Sequence, residues 1–122
     1  KIALYTSSAT LNSSTTAYAA NPGGGANTEV GNSGQYTAGG GLLVNNGTSI
    51  TAGVARVDFA DRSFTGVTLT ARGALIYNTS ATATNAAVAA LDFGADKTAT
   101  AGVFTIQFPA PTSTAAILRI SG

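Results

Sequence analysis

An all-β fold follows from three features of this sequence: hydrophobic alternation of period two, turn residues between the alternating runs, and no segment with a convincing helical face. The expected architecture is a single-domain antiparallel β-sandwich or barrel, of jelly-roll or Ig-like type. It takes in residues 1–122, with a long glycine-rich N-terminal loop or arm at 9–41.

Each element has its own signal. Ile2 and Leu4 share one face against Ala3 and Tyr5, an opening strand. Asn45-Asn46-Gly47 predicts a tight turn between Leu42-Leu43-Val44 and Ile50, because Asn-Gly tolerates the positive φ of primed turns. From Val54 to Phe59 the alternation turns Ala55, Val57 and Phe59 inward and Arg56 and Asp58 outward. Val67, Leu69 and Ala71 repeat it against Thr68, Thr70 and Arg72. Gly73 then interrupts, as at a bulge or a close backbone approach, before Leu75-Ile76-Tyr77 continues. Ala86–Phe93 is long and apolar enough for a buried strand, and Gly94 ends it. The Ala spacing over Ser80–Ala90 is helical, but Thr82, Thr84 and the following Val favour loop and then strand. Phe104, Ile106 and Phe108 alternate up to Pro109, and Ala116–Ile120 closes the chain.

The stretch Ala9–Gly41 breaks the pattern, with Asn21-Pro22-Gly23-Gly24-Gly25, Gly39-Gly40-Gly41 and little periodicity. Unstructured loops of this length are uncommon in compact domains. A surface loop is one reading; an arm ordered by a neighbouring subunit is the other. Tyr5, Tyr18 and Tyr36 are interface candidates, since large amphipathic rings are typical of protein contacts.

Composition narrows the function. Leu, Ile, Val and Phe number 26 of 122 residues, whereas Ala, Thr, Gly, Ser and Asn supply 76. Small side chains bury little apolar area, so a lone monomer would have a thin core, and assembly is the usual remedy. Six basic residues scattered along a chain of net charge +1 do not make a nucleic-acid footprint. No run is apolar enough for a bilayer, and Lys1 is followed by alternation where a signal peptide would have an apolar block. The first residue is not Met, which leaves N-terminal processing open. Cys is absent, removing disulfides and thiolate sites.

Catalytic chemistry has few resources here. There is no His, and Lys1 and Lys97 are the only amine side chains to activate a hydroxyl nucleophile. Carboxylates remain: Glu29, Asp58, Asp61, Asp92 and Asp96. Asp58-Phe59-Ala60-Asp61-Arg62 and Asp92-Phe93-Gly94-Ala95-Asp96-Lys97 resemble each other as strand ends. They admit a Ca²⁺ site or a glycosidase-like couple. The favoured reading has each Asp capping a turn and each Phe anchoring the core, because no liganding loop accompanies them. No catalytic residue, metal or cofactor is expected. Arg72, in so charge-poor a chain, is expected in a structural ion pair with Asp58 or Asp92, strong if buried. The glycosylation-like Asn12-Ser13-Ser14, Asn46-Gly47-Thr48 and Asn78-Thr79-Ser80 are the chance matches such a composition produces.

Taken in order, several blocks resemble small virion proteins of tailed bacteriophages, of the capsid cement or decoration type. The blocks are Ala3-Leu4-Tyr5-Thr6-Ser7, Thr15-Thr16-Ala17-Tyr18 and Tyr36-Thr37-Ala38-Gly39-Gly40, then Val57-Asp58-Phe59-Ala60-Asp61. Thr70-Ala71-Arg72-Gly73-Ala74-Leu75-Ile76-Tyr77-Asn78 and Leu91-Asp92-Phe93-Gly94-Ala95-Asp96-Lys97 complete the series. Asn21–Gly25 is longer than the family pattern. The resemblance implies a β-rich virion structural protein on the outer surface of the capsid, clamping neighbouring major capsid protein subunits, with no catalytic residues. Capsid symmetry then favours a homotrimer, with no nucleic-acid or membrane partner. A head-fibre, neck or tail-fibre module that contacts host surface glycans is the alternative. A secreted carbohydrate-active enzyme fragment is disfavoured by the missing His.

Overall fold

A computed structural model describes residues 1–51, 53–80, 84–109 and 118–121, without the side chains at 49, 51, 54, 56 and 118–121. The outward placement expected of Arg56 therefore lies outside the described residues, as do Ala116 and Ile117 of the closing segment. The regular elements are all strands: β1 (Ile2–Tyr5), β2 (Asn45–Thr51), β3 (Val54–Phe59), β4 (Arg62–Asn78), β5 (Ala86–Ile106) and β6 (Leu118–Ser121). They form two three-stranded sheets, in the orders β1-β4-β5 and β2-β3-β6, and neither sheet closes on itself.

Contacts divide the chain into two compact units. One comprises Lys1–Leu42 and Phe64–Phe104, the other Leu43–Ser63 and Thr105–Gly122. The first holds most of the core. In β4, Val67, Leu69 and Ala71 are buried while Thr68, Thr70 and Arg72 are exposed, so the predicted alternation is present. β1 is buried at all four positions and pairs antiparallel with β4, from Ile2 opposite Ile76 to Tyr5 opposite Gly73. Gly73 marks a close approach, as its sequence context predicts. A Cβ there would lie 2.5 Å from the Leu91 carbonyl oxygen. β4 and β5 run antiparallel: the hydroxyls of Thr70 and Thr98 meet at 2.9 Å, and two residues back on β4 Thr68 accepts the N–H of Ala101, further on along β5, at 2.9 Å.

Two expected breaks are absorbed into longer strands. Asp92–Gly94 does not end β5: Gly94 takes φ +77° and donates its N–H to Asp92 Oδ1 at 2.8 Å, a local kink within the strand. Asn45-Asn46-Gly47 is likewise no hairpin turn. The β2–β3 register shifts between Asn45 and Gly47, so the positive φ of Gly47 serves a bulge. The connection between β2 and β3 falls after Thr51 instead. In the second unit, β3 pairs antiparallel with both β2 and β6, and the rings of Phe59 and Phe108 lie 5.7 Å apart.

Candidate functional site

The long segment after β1 carries no regular strand up to Asn45, yet it is closely bound to the first unit. Its central feature is Glu29, the only Glu in the chain and 8% exposed. Tyr18 donates its hydroxyl to Glu29 Oε2 at 2.7 Å, and Tyr36 donates to Oε1 at 3.0 Å. The Gly39 N–H donates to the same Oε1 at 2.5 Å. A buried carboxylate is tolerable only when its lone pairs are used, and both oxygens here are engaged.

The same groups seal the outer edge of β1. Tyr36 is wholly buried, with its ring edge-on to Phe64 at 5.2 Å. Its hydroxyl accepts the Leu4 N–H at 2.8 Å while donating to Glu29. Val30 N–H reaches the Leu4 carbonyl at 2.9 Å, Thr6 N–H reaches the Thr28 carbonyl at 2.8 Å, and Ile2 exchanges both backbone bonds with Gly41. Every outward-facing group of β1 thus finds a partner in the loop, which removes an exposed strand edge.

The remaining tyrosines complete the arrangement. Tyr5 donates to the Ala19 carbonyl at 2.8 Å, and Tyr77 donates to the Gly39 carbonyl. Tyr18 and Tyr77 stack with centroids 4.7 Å apart. All four tyrosines of the protein therefore brace one loop. Of the three expected at an interface, Tyr5 and Tyr36 are core residues; Tyr18 alone is partly exposed. The hydroxyls of Tyr18 and Tyr36 reach Glu29, and that of Tyr5 reaches the Ala19 carbonyl.

Burial is the main cause that pushes the phenols of Tyr5, Tyr18, Tyr36 and Tyr77 above their usual range, and the charge or hydrogen bond of Glu29 adds to it. At Tyr36 the Leu4 N–H pulls the other way. Above a pH of about 10, unfolded tyrosines release protons that the folded chain retains, so stability falls as pH rises further. Below that pH the contribution is complete. We expect tyrosinate absorbance and loss of the β-sheet circular dichroism signal to appear together at alkaline pH. Tyrosines titrating as free phenols in a folded chain would contradict this.

Arg72 lies 3.9 Å from Asp92 and 3.6 Å from Asp96, so one expected partner is present and a second is added. Asp58 is not part of this group. It belongs to the second unit and accepts a hydrogen bond from Asn46 at 3.4 Å. The strong buried pair expected from sequence is corrected in strength, because the side chains of Arg72 and Asp92 are 45% and 81% exposed. Arg72→Ala should therefore cost only about 0–1 kcal/mol in a thermal melt, screened further by salt. Of the other acidic residues, Asp61 accepts the Phe108 N–H at 2.8 Å, and Asp92 holds the kink at Gly94.

Sequence reading registered Glu29 only as one carboxylate among five. Its signal was present: a single Glu in a polar, glycine-rich stretch flanked by Tyr18 and Tyr36. No protein-family model, curated protein or solved structure matches this chain.

Proposed function

We propose that this protein is a non-enzymatic virion structural component of a tailed bacteriophage, of the capsid cement or decoration type. In this reading it is a β-sandwich module that sits on the outer surface of the head as a homotrimer and clamps neighbouring major capsid protein subunits. The observation that carries the reading is where the resembling blocks fall. Ala3–Ser7, Thr15–Tyr18, Tyr36–Gly40 and the end of Thr70–Asn78 supply β1, the stacked Tyr18 and Tyr77, and the seal around Glu29. They are the residues that hold the first unit together, as a fold-defining resemblance requires. Each of the five carboxylates has a partner within the chain. Exposed Val88 and Val103 on β5 supply apolar surface for contact with other subunits.

Loading purified protein onto phage heads that lack it, followed by a density map, tests the reading. Cement predicts copies on the order of hundreds, at threefold or quasi-threefold positions of the shell. About a dozen copies at one vertex would instead mean a neck or fibre component. Light scattering of the free protein should give a trimer, and a stable monomer at micromolar concentration would remove the trimer from the proposal.

A further inference from the structure

Asn46-Gly47 is the only Asn-Gly pair among the eight asparagines of the chain. It lies in β2, an edge strand, at the point where the register with β3 slips. Asn45 faces Phe59, Gly47 faces Asp58, and Asn46 has no facing residue of its own. Residues 45–48 are all exposed. The Gly47 N–H is held by Asn45 Oδ1 at 2.7 Å, and Asn46 Nδ2 reaches Asp58 Oδ2 at 3.4 Å. Both contacts are exposed, so water can replace them, and the second is longer than a good hydrogen bond. A Cβ placed on Gly47 would meet nothing within 4 Å, which leaves open space around its backbone nitrogen. Every other Asn precedes a residue whose side chain crowds that nitrogen, and Asn21 precedes Pro22, which has no N–H at all.

We propose that Asn46 is a modification site at which the chain reacts with itself: its amide is lost through a cyclic imide, and the resulting carboxylate loosens β2 from β3. The Gly47 backbone nitrogen attacks Asn46 Cγ. A new C–N bond forms, the side-chain nitrogen leaves as ammonia with the Gly47 proton, and a five-membered succinimide remains. Water then opens the ring at one of its two carbonyls. Opening at Cγ gives aspartate; opening at the main-chain carbonyl gives isoaspartate, whose backbone is one methylene longer. The reaction consumes only water. Cyclisation requires Asn46 to turn out of the extended strand, and a bulge is where the ladder resists this least, because the extra residue is unpaired. Either product replaces a donor to Asp58 with a second carboxylate beside it. Like charges on facing strands destabilise their pairing, and the longer isoaspartyl backbone also disturbs the register of Asn45 with Phe59.

Peptide mass spectrometry of the wild-type protein, kept folded at mildly alkaline pH, tests the site. Asn46 should convert at least about tenfold faster than any other Asn, since a crowded nucleophile raises the barrier. Isoaspartate should appear with aspartate, marked by its backbone fragments and by methylation with an isoaspartyl methyltransferase. Asn46→Gln, which needs a less favourable six-membered ring, should stay unmodified at that position. The folded chain should react within about tenfold of its rate in urea. A greater slowing means that β2 protects the site, and it overturns the proposal. Conversion at Asn46 no faster than at Asn12 or Asn32 overturns it as well. Aspartate without isoaspartate means direct hydrolysis with no ring, and that too overturns it. Asn46→Asp isolates the consequence: at low salt its Tm should lie about 2–5 °C below that of Asn46→Gln, with the gap narrowing at high salt. Equal melting of these two variants overturns the loosening of β2.

Discussion

Glu29→Ala is expected to lower the stability of the protein by about 3–5 kcal/mol, because three donors lose their acceptor at once. The Tyr18 and Tyr36 hydroxyls and the Gly39 N–H all point at this carboxylate. Leaving a buried donor unsatisfied costs about 1–3 kcal/mol, and entry of water into the space would hold the sum below the full total. Glu29→Gln keeps one carbonyl acceptor but turns an amide group towards donors, so about half the loss is expected. Midpoints of thermal or denaturant unfolding would measure both. The Ala variant should melt at least about 10 °C lower. The damage should begin in the loop, with faster amide exchange at Leu4, whose N–H depends on Tyr36. A Glu29→Ala protein as stable as the wild type would mean that the network fills space without bracing anything.

Gly40→Ala should be comparably damaging for a steric reason. Gly40 has φ +79°, and a Cβ there would stand 1.9 Å from the Ile2 carbonyl oxygen and 2.8 Å from the Ala3 Cα. Both obstacles are backbone of the buried strand β1, so no side chain can swing aside. The left-handed conformation alone costs a non-glycine residue about 1–2 kcal/mol. The clash must in addition separate Gly41 from Ile2, which exchange two backbone hydrogen bonds. A total of about 3–5 kcal/mol is expected. Gly24→Ala separates the two contributions. Gly24 has φ +80° with nothing within 4 Å of its would-be Cβ, so only the conformational part should appear. Equal unfolding midpoints for the two variants would show that the loop can lift from β1 at no cost.

The sequence made some of this legible and concealed the rest for definite reasons. Val67, Leu69 and Ala71 were readable as an inward face because alternation is a local property, and strand burial follows it residue by residue. Gly73 was readable as a close approach on similar grounds. Asn45-Gly47 misled because a positive φ is equally useful in a turn and in a bulge, and only the facing strand distinguishes them. Asp92-Phe93-Gly94 misled in the same way. Glu29 was not legible as a centre because its partners stand 11, 7 and 10 residues away along an aperiodic loop. Pattern reading has no period with which to find such a group. Tyr18 and Tyr36 did stand out, but large rings in a polar stretch fit an outer partner as well as an inner one.

The pairing of β1 also sets an order of events. Ile2 faces Ile76, a separation of 74 residues, and its other edge waits for Val30 and Gly41. β1 is made before β4 and therefore has no place to go until the second half of β4 exists. Bringing such distant pieces together must be achieved before any contact repays it, and chains governed by remote pairings fold slowly. Until then Ile2, Leu4 and Tyr5, all fully enclosed in the finished protein, remain uncovered on the growing chain. The protein is thus most exposed to misassociation during its own synthesis, and β1 is the part a chaperone would have most reason to hold.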